Sequence, residues 1–348
     1  MDGLVYTIET FDNEYYMIQL NHNVMQECCE NYSTNLLNNM KENTCGEYHK
    51  NEMIPNDMML QNDRFHDGTG DIKVLVLYTP SAANSVSNIY NTALLAEEES
   101  NISFQNSDIN CQIEIVYIGE TDYIETTSAS ALSKLCLMND GDMDEVHGLR
   151  DVYSADVCVL LENCSDYCGM ASNVYADQWS AFAVVKAESC ATGYFSFIHE
   201  IGHLIGCRHD YSTDTTSVPY VDGHGYVSSD GTWRTIMSYG GSGCTRLPYW
   251  SNPNILYNGE PMGSYALCNN ARVWNDRYGT IGTFRMIKDT ISISQNEIDI
   301  SFDYGYVEAG SLIETFGNAF LRENQELVLK SGDEIVLKTV FMLNMDRL

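Results

Sequence analysis

Positive charge is what this chain most lacks. Its 348 residues carry 18 Lys and Arg against 49 Asp and Glu, a formal net charge of −31. Nucleic-acid binding needs a basic surface to neutralise phosphates, and adsorption to anionic membranes needs one too, so this balance argues against both partners. The surplus carboxylates are expected to form a solvated, aggregation-resistant surface. Some of them could hold calcium, but no calcium-loop motif supports that. Long apolar runs are also missing: no segment approaches a membrane-spanning length, so no membrane insertion is expected. Met1-Asp2-Gly3 opens with neither the basic nor the apolar region of a signal peptide. The twelve cysteines include no C-x-x-C pair, which argues against a zinc ribbon or a redox dithiol. Apolar residues still make up 44% and charged ones 19%, enough for one large domain with one or two small appendages.

Against this background stands the stretch from Phe195 to Asp210, FSFIHEIGHLIGCRHD. It contains His199, Glu200, His203, Gly206 and His209 in the pattern H-E-x-x-H-x-x-G-x-x-H. Positions four apart share one helix face, so His199 and His203 can present two imidazoles to one ion. Glu200 then lies beside the ion, placed to take a proton from a water molecule. Gly206 falls where the helix should end, in a turn suited to positive φ, and that turn can swing His209 back as a third ligand. Three protein ligands leave zinc an open position, the arrangement of a catalytic site. A chance H-E-x-x-H on a surface helix is the bland alternative. Apolar Phe195, Phe197, Ile198, Ile201, Leu204 and Ile205, together with the correctly spaced Gly206 and His209, weigh against it. Cys207 as the fourth ligand of a closed structural site is a second alternative, although closed sites use other spacings.

The extended motif resembles that of the metzincin zinc endopeptidases. Thr235-Ile236-Met237-Ser238-Tyr239 supplies the methionine turn, and Ser251-Asn252-Pro253 with Tyr257 to Gly263 resembles the segment after that turn in reprolysin-like bacterial enzymes. Val74 to Pro80 resembles their first strand, and Tyr167 to Ala171 their substrate-binding edge strand. The chain is most similar to the peptidyl-Asp metalloendopeptidase group, over about residues 71 to 285. The resemblance implies one catalytic Zn2+ on His199, His203 and His209, with Glu200 as general base and Met237 as an apolar floor. It also implies a substrate-binding edge at Gly169, Met170 and Ala171, and protein or peptide substrates. Tyr239 occupies a position that in some metzincins reaches the zinc or the oxyanion, and a packed tyrosine is the alternative there. The resemblance also implies cleavage before acidic residues, which would need a cationic pocket, for which Arg234, Arg246 and Arg272 are candidates. Asp210 is expected to anchor the methionine turn by hydrogen bonds, and His224 to be a loop residue outside the motif.

Three divisions are expected along the chain. Residues 1–70 read as a pro-segment remnant, or a β-hairpin from Leu4–Ile8 and Tyr15–Leu20 followed by a linker. Within them Cys45-Gly46 is either a latency switch on the zinc or an ordinary cysteine. Residues 71–285 form the catalytic domain, an α/β (α+β) metzincin-type fold with a twisted, mostly parallel sheet, helices and one antiparallel edge. Residues 286–348 form a small β-rich C-terminal module in which Glu308 to Ser311 and Lys330 to Asp333 look like a weak repeat. With a protease motif present, an oxidising compartment is the natural reading, so a secreted or cell-surface monomer is expected. Disulfides are expected among Cys164, Cys168, Cys190, Cys207, Cys244 and Cys268, whereas Cys111 and Cys158 in strand-like runs are expected to be buried thiols.

Three functions are compatible with the sequence. One is an active zinc endopeptidase. The second is a catalytically silent zinc-bound adhesion or binding protein on the same scaffold. The third is a latent, host-directed protease whose C-terminal part binds a partner.

Overall fold

A computed structural model describes residues 72–240, 243–294, 302–316 and 325–337, and the strands Val5–Glu9, Tyr15–Gln19, Phe320–Leu321 and Met342–Leu343. The first two of these short strands pair antiparallel, as the hairpin reading expects. Cys45 lies outside the described residues.

The strand Ile72–Tyr78 is buried along its whole length. A run of seven residues without polar alternation suits a strand covered on both faces by helices, and that is where it sits. It pairs in parallel with Ile113–Glu120 on one side and Val157–Glu162 on the other, and the latter pairs in parallel with Phe182–Lys186. Gly169–Ala171 closes one end of the sheet in antiparallel register with Phe182–Lys186. This is the expected mostly parallel α/β sheet with its antiparallel edge.

The alternation of Ile72, Val74 and Val76 against Leu75 and Leu77 feeds two separate cores. On one face the helices Ile89–Asn106, Ser196–Ile205 and Asn270–Ile281 cover the sheet; on the other lie Ser128–Cys136 and Glu145–Val152. Several helices begin where the sequence supplies side-chain caps: Thr79, Asn88, Thr127 and Asn269 each accept the backbone N–H three residues on, whereas Glu145–Val152 and Ser196–Ile205 start without one. Among the described residues no helix is long and apolar enough to cross a membrane.

The C-terminal strands are woven into this sheet. Phe302–Ala309 pairs antiparallel with Ile113–Glu120, and Glu326–Ser331 pairs in parallel with Phe302–Ala309, so the seven-stranded sheet ends on C-terminal residues. Ile291, Ile293, Val307, Ala309 and Ile313 share the second core with Leu75 and Leu77. Their register has one period. Thr290 pairs with Leu312 and Leu312 with Glu334; Tyr304 pairs with Glu326 and Phe320 with Met342, each partner 22 residues further on. The turns stack as well, for a side chain on Gly332 would collide with the carbonyl oxygen of Gly310. The weak repeat seen in the sequence is thus a stack of 22-residue coils.

Candidate metal centre

The helix Ser196–Ile205 is buried on nearly every side, as its apolar residues require. Its entry is held from a distance. The Gly193 N–H donates to both carboxylate oxygens of buried Glu99, at 2.9 and 2.7 Å, and burial pushes the Glu99 carboxyl up to about 8. Its exit is the glycine turn expected from the motif: Gly206 has φ +120°, which a side chain would oppose. Gly202, between the first two histidines, has a packing role the motif does not announce. A Cβ there would stand 2.7 Å from the Trp250 ring and 2.9 Å from Met237 Sδ. Met237 is fully buried, with its Sδ packed against this helix at Gly202.

His199 Nδ1 is 2.9 Å from the Ile236 carbonyl oxygen, and His203 Nδ1 is 2.9 Å from that of Cys207. A carbonyl only accepts, so both rings carry their proton on Nδ1 and turn an Nε2 lone pair inward. There His199 Nε2 and His203 Nε2 stand 3.2 and 3.0 Å from His209 Nε2. Burial first, then the neighbouring imidazoles, holds His199 well below its ordinary pKa; burial lowers His203 to about 4. The rings are therefore neutral, the form that ligates metal. Nitrogens each about 2.0–2.1 Å from a tetrahedral zinc stand about 3.3 Å apart, close to the spacing here. Converging lone pairs repel until a cation sits between them, so these residues fit zinc. Among the described residues no other group of three His, Cys, Asp or Glu ligand atoms is drawn together as tightly.

Glu200 lies beside the histidines, under the edge strand. Burial pushes its carboxyl up to about 8, while the Arg246 guanidinium and the Ala171 N–H act in the opposite direction. Asp210 accepts the Tyr239 N–H at 2.8 Å and hydroxyls from Ser212 and Thr213, tying the third-histidine turn to the methionine turn as expected. The Tyr239 ring meets that of His209 edge-on at 4.5 Å. His224 is no loose loop residue. It is fully buried, and its Nδ1 stands 2.8 Å from the His209 carbonyl oxygen. Nothing in its Asp-Gly-His-Gly context signals that role.

The expected cysteine staples reduce to one. Cys168 and Cys190 are bridged, joining the start of the edge strand to the turn before the motif helix. Cys164, Cys207, Cys244 and Cys268 remain thiols; each is packed by its own neighbours, as Cys207 is by the Asn270 side chain. Cys111 and Cys158 are buried thiols as expected, and Cys136 is also disulfide-bonded. Of the candidate arginines, Arg272 is engaged by Asp222 and Asp276. Arg234 and Arg246 are both buried and flank the Tyr194 ring, at 5.7 and 4.1 Å.

Neutral imidazoles closing on one point beside a buried carboxyl, over a parallel sheet with an antiparallel edge, mark a metzincin-type metallopeptidase scaffold. Within that class the chain belongs to metallo-peptidase family M12, whose Reprolysin_5 model matches residues 68–251, just over half of the chain. A peptidyl-Asp metalloendopeptidase of Xanthomonas campestris pv. campestris is 42% identical over 236 residues, 67% of this chain and 56% of that protein. One of Stenotrophomonas maltophilia is 37% identical over 296 residues, 82% of this chain and 66% of that protein. One of Pseudomonas fragi is 37% identical over 189 residues, 54% of this chain and 100% of that protein. The chain thus spans less than two thirds of the length of the first two relatives.

Proposed function

We propose that this chain is a zinc endopeptidase that hydrolyses peptide bonds of protein or peptide substrates. The observation that carries the reading is the meeting of three neutral imidazole nitrogens at 3.0–3.2 Å next to the buried carboxyl of Glu200. Zinc held by His199, His203 and His209 supplies Lewis acidity and makes water a stronger acid. Glu200 takes the proton from the attacking water and hands it to the leaving amine. Burial raises the Glu200 carboxyl to about 8, which makes its ionised form a strong base, and the Arg246 charge and the Ala171 N–H act against burial to favour that form. Tyr239 is the candidate to stabilise the developing oxyanion, and Met237 serves as the floor.

The substrate binds extended along Gly169, Met170 and Ala171, the terminal strand of the sheet, whose outer edge offers backbone groups for strand addition. The relatives are named for peptidyl-Asp bonds, and we extend that preference to this chain. Support comes from the Arg234 and Arg246 pair around Tyr194, since Arg246 lies close enough to bias Glu200. Residues 71–285 act as the catalytic unit, 1–70 as its leading segment and 286–348 as a β-rich extension. The enzyme works as a secreted or cell-surface monomer.

The test is a digest of an unstructured protein with fragment ends read by mass spectrometry. Wild type is compared with Glu200→Ala and with chelator-treated enzyme. Zinc-dependent cleavage lost in the variant is expected. Identical traces for all three, also with residues 1–70 removed, would leave the silent binding protein as the reading.

A further inference from the structure

A second group of carboxylates, away from the histidines, lies where the parallel strands end. Glu162 is the last residue of Val157–Glu162 and is completely buried, yet neither of its carboxylate oxygens has a hydrogen-bond donor among the described residues. The Ser128 hydroxyl and the Cys164 thiol lie near enough to lower the Glu162 carboxyl against its burial, but neither reaches it in hydrogen-bond geometry. The Ser128 hydroxyl donates to Asp166 Oδ1 at 2.8 Å, and the Cys164 thiol points to Glu125 Oε2 at 4.0 Å. Asn163 Oδ1, next in the chain, is likewise buried without a donor. Glu125 and Asp166 both act electrostatically on Glu162 and on Cys164. Glu125 is held in place by Thr79 and by the Asn163 N–H at 2.9 Å, and Asp166 by the Ser128 N–H at 3.1 Å.

The Glu162 carboxylate and the Asn163 oxygen are buried without donors beside half-buried Glu125 and exposed Asp166, and among the described residues no positive charge pairs with the group. Lys186 stands opposite Glu162 in strand register but does not supply it, since the Glu162 oxygens remain without a partner. Burial and the surrounding carboxylates push the Cys164 thiol far up, so it is no thiolate ligand and the donors are oxygens. An oxygen-only set suits a hard cation. The group is wider than the three imidazoles, whose ligand atoms all lie within 4.8 Å of one another. Oxygens on opposite sides of a calcium ion stand about 5 Å apart, twice the ligand distance. We infer that Glu162, Glu125, Asp166 and the Asn163 side-chain oxygen form a structural calcium site.

The position gives such an ion a function. Asp166 lies three residues before Gly169 and two before the bridged Cys168, in the loop that delivers the edge strand to Glu200. Calcium there fixes that loop to the ends of two core strands through Thr79 and Glu162.

The experiment uses the full chain loaded with zinc and dialysed free of calcium. Calcium binding is measured by calorimetric titration, and thermal melting is followed with and without millimolar calcium. One calcium equivalent and a melting temperature raised by several degrees are expected, with affinity at least tenfold weaker in Glu162→Gln. Asp166→Asn, at an exposed position, should weaken binding in the same way and gives the answer if Glu162→Gln does not fold. Absence of calcium binding by the wild type, or equal binding by the variants, overturns the inference. So does equal stabilisation by magnesium, or a Lys186→Met variant that loses stability while calcium has no effect on the wild type.

Discussion

Gly169 and Glu200 are fitted to each other: a methyl group on the glycine would stand 2.7 Å from both Cγ and Oε1 of the glutamate. The edge strand passes so close over the carboxyl group that any side chain at residue 169 would push it aside.

Gly169→Ala should therefore displace the Glu200 carboxyl while leaving the sheet paired. The expected result is a fall in kcat of about a hundredfold, the scale on which small misplacements of a reacting group act. Melting temperature should change by only a few degrees. Steady-state kinetics on a peptide substrate, read beside circular dichroism melts, checks both parts.

His224→Ala removes the ring that meets the His209 carbonyl at 2.8 Å. If His209 is a zinc ligand as proposed, loss of the group that orients it is expected to weaken zinc binding by about tenfold, with the other two histidines untouched. Competition with a chromogenic chelator reads this directly, and unchanged affinity would reduce His224 to core packing.

Glu99 gives a pH prediction. Burial raises its carboxyl from an ordinary 4.5 to about 8, so the folded chain holds a proton that the unfolded chain releases. The native state binds more protons in that window, and this contribution to stability falls as pH rises from about 4.5 to about 8. Glu99→Gln abolishes the titration. The difference in melting temperature between variant and wild type should therefore shift toward the variant as pH is raised from 5 to 8.

Arg246→Gln tests the reading of acidic side chains. Hydrogen bonds to charged groups contribute about 1.5–3 kcal/mol, so the preference for a peptide with Asp over one with Asn should fall by about tenfold or more. The ratio is taken within each enzyme, which cancels any general loss of activity. An unchanged ratio would direct attention to Arg234.

The centre itself is legible in the sequence because its geometry is local. His199, His203, Gly206 and His209 fall within eleven residues, and helix periodicity with one glycine turn is enough to bring them together. Met237 and Asp210 are reached through the resemblance. Features that escape the sequence depend on distance along the chain. Glu99 acts on Gly193 from 94 residues away, and no pattern around either residue announces the pairing. His224 and Gly202 look ordinary until their neighbours are known. The C-terminal strands are visible as strands, but their register is not. In a parallel stack the period belongs to backbone pairing, and Thr290, Leu312 and Glu334 can share one column without sharing a side-chain type.

That 22-residue period makes the C-terminal part a ladder whose lowest rung is hydrogen-bonded to the seven-stranded sheet through Phe302–Ala309 and Ile113–Glu120. Length there comes in quanta. Inserting or deleting a whole coil keeps every strand in phase, whereas losing a few residues turns each later strand out of line with the one beneath. Each rung also protects the edge below it from pairing with another molecule, so only the outermost strand faces that hazard.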